Sequence, residues 1–133
     1  MAGKKILSIS EKYYIADHSL RHAVFDSNQS AINQIPENIV CIELLRQNYH
    51  VTIGKNGSKE IDFIAVRNKS KIYVQVSYML ATEEVVEREF NAYKNVQDNY
   101  PKYVVSMDSF DFSRRGIKHK NICDFLLMPE WDV

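Results

Sequence analysis

Four side chains near the middle of the chain have the types and spacing to hold a hard divalent cation. Asp62 lies in K-E-I-D-F-I-A, and Gln75 and Ser77 lie in K-I-Y-V-Q-V-S-Y, two runs with the period of a strand. Side chains alternate along a strand, so Ile72, Val74, Val76 and Tyr78 share one face and Tyr73, Gln75 and Ser77 the other. On the first run, Ile61 and Phe63 are expected on one face, with Glu60 and Asp62 opposite. If the apolar faces meet one core, Asp62, Gln75 and Ser77 converge behind it. Glu37, in the first turn of a preceding helix, can point at the same place. Two carboxylates, an amide oxygen and a hydroxyl make a hard, all-oxygen set suited to Mg²⁺ or Mn²⁺. Glu37, Asp62 and Gln75 are the expected ligands.

Placing those groups requires a particular order of elements. Ile32, Ile35, Ile39, Val40 and Ile42 recur at three and four residues, the helix period. Pro36 interrupts them, so a short turn is expected before it, with Pro36 opening a helix that runs to about Asn48. The period then changes to two. Val51 and Ile53 give a short strand, and K-N-G-S (55–58) a turn with Gly57 at positive φ. Residues 60–66 and 71–78 give two more strands, joined by R-N-K-S. Thr82 caps a helix reaching Tyr93 or Lys94, with Glu83 and Glu84 at its positive end. Tyr103 to Met107 is a buried strand and Gly116 to Lys120 an edge strand. Asn121 to Met128 is a short helix or closing segment. Upstream, residues 4–8 and 12–16 read as a hairpin, followed by a short helix capped by Asp17. The expected fold is α/β, a mixed central sheet flanked by helices.

The runs K-Y-Y-I-A-D-H-S-L-R, E-N-I-V-C-I-E-L-L-R, K-E-I-D-F-I-A, Y-V-Q-V-S-Y and D-N-Y-P-K-Y-V-V-S-M-D occur in that order. Across roughly residues 10–128 the chain resembles the C-terminal domain of unknown function of prokaryotic AAA-type ATPases, a PD-(D/E)xK nuclease-like domain. The resemblance implies a restriction-endonuclease-like core over residues 30–133. Residues 1–29 would then be a hairpin and short helix ending a preceding winged-helix segment. It implies Glu37 as the helix carboxylate and Asp62 as the metal-binding strand aspartate. Gln75 stands where the pattern has Asp or Glu, and Ser77 where it has Lys. Gln75 removes one negative charge, and Ser77 removes the cation that orients water and stabilises developing charge. Losing a positioned electrostatic group costs roughly a hundredfold to a thousandfold in rate. Lys59 and Lys71 are stand-ins off the motif. The resemblance further implies DNA as a partner, together with the ATPase part missing from this chain. The expected function is a nuclease-like domain, binding DNA or cleaving it weakly with a divalent ion. The alternative is a non-catalytic nucleic-acid-binding or protein-interaction module.

Composition bounds both readings. With 45% hydrophobic and 26% charged residues, the chain is a folded domain rather than a disordered tail. No apolar run approaches the ~18 residues of a membrane span, and M-A-G-K-K-I-L-S-I-S is too short for a secretion signal. Cys41 and Cys123 lie among apolar residues, which favours buried free thiols of a cytoplasmic protein over a disulfide. Four glycines leave neither G-x-x-x-x-G-K-[ST] nor G-x-G-x-x-G, so no nucleotide cofactor is expected of this chain. His18 and His22, four apart, could share a metal on a helix but lack the H-E-x-x-H context. Arg114, Arg115, Lys118, His119 and Lys120 form the densest basic cluster, either phosphate contacts or a charged edge that resists aggregation. Lys plus Arg and Asp plus Glu are 17 each, giving no net charge. Duplex DNA should therefore bind no tighter than about 1 µM at about 150 mM salt. Nanomolar affinity in a labelled-duplex titration would break the charge argument.

Overall fold

The computed structural model describes residues 29–56 and 59–132. The expected upstream hairpin, the helix behind Asp17, the His18–His22 pair and the turn at Gly57 lie outside those residues. Along the described chain the elements are α1 (Gln29–Arg46), β1 (His50–Asn56), β2 (Lys59–Arg67), β3 (Ser70–Val76), α2 (Glu83–Asn91), β4 (Lys102–Ser106), β5 (Lys118–Asn121) and α3 (Ile122–Leu127). They form one mixed sheet in the order β1-β2-β3-β4-β5. The first three strands pair antiparallel, and β3, β4 and β5 run parallel. An α/β architecture with a mixed sheet is what the alternating periods require.

Each face of the sheet carries its own core. Val40, Cys41 and Leu44 of α1 and Ile122 and Phe125 of α3 cover one face, meeting Phe63, Ala65, Ile72, Val74 and Val76. Val86 and Phe90 of α2 cover the other, with Ile61, Tyr73, Val104 and Tyr93. Trp131 completes the first core. Its ring stacks on Phe125 at 4.8 Å, its Nε1–H donates to the Phe125 carbonyl, and its own carbonyl accepts from the Tyr103 hydroxyl at 2.6 Å.

Three expectations are corrected. Pro36 does not open α1; the helix starts at Gln29 and passes through it. Pro36 shares the buried face with Val40, Cys41 and Leu44, whose packing offsets the lost backbone bond. Glu37 is consequently mid-helix, away from the favourable end of the dipole. Ile39 and Ile42 are about two-fifths exposed, because the stretch has more apolar residues than one helix face can bury. Cys41 is a buried free thiol as expected, but Cys123 faces solvent, since Ile122 and Phe125 define the inward face of α3. Thr82 does cap α2, its Oγ1 accepting from the Val85 N–H at 3.2 Å.

The third correction concerns strand faces. Ile61 and Phe63 lie in opposite cores, not the same one. Between the pairs Thr52–Ile64 and Gly54–Ile61, β1 advances two residues while β2 advances three. That extra residue is a β-bulge, and it resets the alternation at Asp62. Ile61 and Ile64 then crowd one spot on β1. A Cβ on residue 54 would stand 2.5 Å from Ile64 Cδ1 and 3.2 Å from Ile61 Cβ, so any side chain there forces Ile64 to shift. Gly54→Ala should lower stability by about 1–3 kcal/mol in urea denaturation. Adding Ile64→Val, which removes the clashing methyl, should recover part of the loss; an unchanged midpoint for Gly54→Ala would show that the bulge is not held this way.

Candidate functional site

Beside the bulge, side chains replace the backbone pairing of β2 with β3, and two of the expected site residues supply them. Backbone pairing of these strands ends at Phe63–Val74. Beyond that pair, the Asp62 N–H donates to Gln75 Oε1 at 2.9 Å, and the Val76 N–H donates to Asp62 Oδ2 at 2.8 Å. Each side chain stands in for a backbone acceptor of the opposite strand. The two residues therefore come together as expected, but as a reciprocal clasp. Gln75 is 9% exposed, and its Nε2 donates to Glu89 Oε2 of α2 at 2.9 Å. Sheet and helix are tied through one amide.

Glu89 is the group that sequence reasoning missed. Burial pushes its carboxyl above the ordinary 4.5; the Gln75 bond and Arg88 oppose this, and the charge of Glu37 adds to the rise. Glu37 thus lies within electrostatic range of the clasp, though not in the helix turn expected for it. Tyr93 stands against the same group. Its hydroxyl donates to the Tyr103 carbonyl at 2.6 Å, and burial, then the charges of Asp62 and Glu89, drive the phenol far up. A hint of Glu89 was present in the sequence: Val86, Glu89, Phe90 and Tyr93 recur at helix spacing, which puts one carboxylate beside an apolar stripe.

Ser77 is placed differently from expectation. It follows the end of β3, its Oγ donates to the Met79 carbonyl at 3.3 Å, and its N–H to the Val105 carbonyl at 2.9 Å. It anchors the exit of the strand. Tyr78, expected on the apolar face, is beyond the strand end and exposed. Of the two stand-in lysines, Lys59 lines a pocket of about 220 Å³ with Glu60, Gln75, Arg88, Glu89 and Ala92. Lys71 is at the opposite end of β3, over the rings of Tyr73 and Tyr100.

Two of the oxygens expected to hold a divalent ion are committed to the sheet instead. Asp62 Oδ2 and Gln75 Oε1 each already accept a backbone N–H, and turning either outward would leave that buried donor unpaired. Among the described residues, no three His, Cys, Asp or Glu side chains are grouped to hold a metal.

The basic cluster also separates. His119 is buried, its Nδ1 accepting from the Phe112 N–H at 3.2 Å and its Nε2 2.8 Å from Ser106 Oγ. With Nδ1 accepting, the ring proton sits on Nε2 and is donated to Ser106, which donates in turn to Asp108 Oδ2 at 2.7 Å. Burial lowers the imidazole's pKa and favours this neutral form. Arg114 pairs with Glu83 and Glu87 at 2.9 and 3.0 Å and lies over the Phe90 ring.

An uncharacterized protein of Haemophilus influenzae is 37% identical to this chain over 127 residues. That match covers 94% of the chain and 31% of the relative, so the chain spans about a third of that protein's length. No family model matches, and no solved structure matches. Among the described residues no helix is long and apolar enough to cross a membrane.

Glu89 makes the clasp sensitive to pH. A carboxyl whose pKa is higher folded than unfolded favours the fold when protonated, and that contribution fades as pH rises above the ordinary 4.5. Glu89→Gln keeps an acceptor for Gln75 without the buried charge. The variant should be at least as stable as the parent at pH 7, and its advantage should shrink as pH falls to 4. Urea midpoints at both pH values test this; a large loss of stability at pH 7 would mean the charge itself is needed.

Proposed function

We propose that this chain is a nuclease-like domain of the PD-(D/E)xK kind, as borne by AAA-type ATPases, whose cleavage site has become a structural clasp. It acts as a binding module rather than a hydrolase. One observation carries this reading: the strand oxygens that would hold the ion, on Asp62 and Gln75, are both engaged with backbone N–H groups of the facing strand. The succession of a helix, three antiparallel strands, a helix and a strand parallel to the third agrees with the restriction-endonuclease-like core that the motifs imply. The place where the pattern has lysine is Ser77, which holds a turn. Nothing at that position can stabilise the charge of an attacked phosphate. The partner on this reading is DNA or the ATPase part of a longer polypeptide.

A second reading has one observation in its favour. Glu37, Asp62, Gln75 and Glu89 share a neighbourhood, since the charge of Glu37 is felt at Glu89 and Gln75 joins Asp62 to Glu89. A weak Mg²⁺ or Mn²⁺ site with slow cleavage would use those groups.

The two readings part on Gln75→Glu combined with Ser77→Lys. For a clasp, the new carboxylate meets Glu89 and cannot donate to it, so the double variant should melt lower than the parent and gain no activity. Neither protein should nick plasmid in Mg²⁺ or Mn²⁺, and calorimetry should find no ion bound tighter than about 1 mM. Metal-dependent nicking that appears in the double variant and vanishes on adding Asp62→Ala would favour the residual nuclease site.

A further inference from the structure

At the entering ends of β4 and β5, away from the clasp, two adjoining clefts of about 390 and 410 Å³ open on the surface. Tyr93, Arg115 and Ile117 line both. The first adds Gln97, Asn99, Tyr100 and Lys102, with Asp98 in its wall; the second adds Lys94 and Glu87. Each has the volume of an ordinary small-molecule site, roughly 300–1,000 Å³.

Arg115 is an unexpected residue at its position. It and Gly116 are the two central residues of a tight turn closed by Arg114 N–H to the Ile117 carbonyl at 3.1 Å and Ile117 N–H to the Arg114 carbonyl at 2.9 Å. Both have left-handed backbone, with φ of 54° and 77°. Glycine and asparagine adopt that conformation readily, while a long side chain does so at a cost in free energy. The fold draws little from the arginine in return. Its guanidinium approaches Glu87 only at 3.4–3.5 Å, its side chain is 60% exposed, and Arg114 already fastens the turn to α2. A strained residue that stability does not explain points to a ligand.

We propose that these clefts bind a phosphate ester carried beside a planar base, with Arg115 holding the phosphate. A guanidinium fork matches phosphate oxygens in two parallel hydrogen bonds. Lys94 adds a second cation beside it, opposed by Glu87. The amides of Gln97 and Asn99 supply donors and acceptors for a base edge. Tyr100, 41% exposed, has Lys71 Nζ 5.5 Å from its ring centroid and supplies the rest of its aromatic surface for stacking. Lys102 is bound to the Asp98 carbonyl and carboxylate and to the Tyr100 carbonyl at 2.8–3.1 Å, so it holds the wall in shape and leaves phosphate to Arg115. This site uses none of the clasp residues and does not depend on how the clasp is read.

The full chain would be titrated into fluorescein-labelled dT12 at about 50 and 150 mM salt, with AMP and ATP as competitors. Micromolar binding that weakens tenfold or more in Arg115→Asn, with a salt slope lower by about one, is the expected result. Asparagine suits the left-handed position, so that variant should melt no lower than the parent. Lys55→Asn, an equal charge change on exposed β1, should leave binding within twofold. Competition by AMP or ATP at concentrations near the oligonucleotide's own affinity would make a free nucleotide the source of the phosphate; weak competition would make it a single strand. No binding of either probe at about 100 µM protein would overturn the proposal. So would equal losses in the Arg115 and Lys55 variants, or an Arg115→Asn protein that melts several degrees lower.

Discussion

The reciprocal exchange between Asp62 and Gln75 is the constraint on which the centre of this domain depends. A bulge in β2 would ordinarily leave backbone donors of both strands facing each other without acceptors, and buried donors of that kind cost about 1–3 kcal/mol each. Here the Asp62 N–H finds Gln75 Oε1, and the Val76 N–H finds Asp62 Oδ2. The sheet stays closed across the bulge, and the bulge in turn sends Ile61 and Phe63 to opposite cores. One local irregularity therefore lets the same strand feed both faces of the sheet. Gly54 makes room for it, and Gln75 transmits it to α2 through Glu89.

That use of polar groups explains why a constellation suited to catalysis need not be catalytic. An acid and an amide on neighbouring strands are what a hard-ion site needs, and also what a broken ladder needs. Which role they serve is decided by where their oxygens point. Both point at backbone N–H groups, and the amide nitrogen donates to the Glu89 carboxylate. Ser77 and His119 follow the same logic. Each is a residue type associated with chemistry, and each is fully engaged in shaping a loop beside the sheet.

Much of this was legible in the sequence, and the failures share a cause. Alternation located β2 and β3, and the Thr82 cap located α2, because both signals are local. The convergence of Asp62 and Gln75 follows from side-chain alternation on two neighbouring strands. The bulge does not, since it depends on what Gly54 leaves vacant for Ile61 and Ile64 on a paired strand. Local propensity disfavours Pro36 inside a helix and makes it a helix start; packing of the α1 face overrides that preference. In sequence His119 sits among basic neighbours, whereas the parallel pairing of β5 with β4 turns it inward onto Ser106. Glu89 escaped notice because a carboxylate on a helix is usually solvated, and only the partner strand supplies the amide that accommodates it.

The two ends of the parallel strands carry different chemistry. At the exit of β3 stand the carboxylates and amide of the clasp; at the entrances of β4 and β5 stand the arginine, lysines and exposed tyrosine of the clefts. Tyr93 connects them. It lines both clefts, its hydroxyl is fastened to Tyr103, and the charges of Asp62 and Glu89 reach it from the other side. Its phenol carries its proton and donates it to the Tyr103 carbonyl, so Tyr93 presents a neutral wall to an anion rather than a repelling one. The acidic groups of the clasp would repel a phosphate brought near them. Keeping them at the opposite strand ends, behind a neutral tyrosine, allows one small sheet to hold a closed acidic clasp and an anion-seeking surface together.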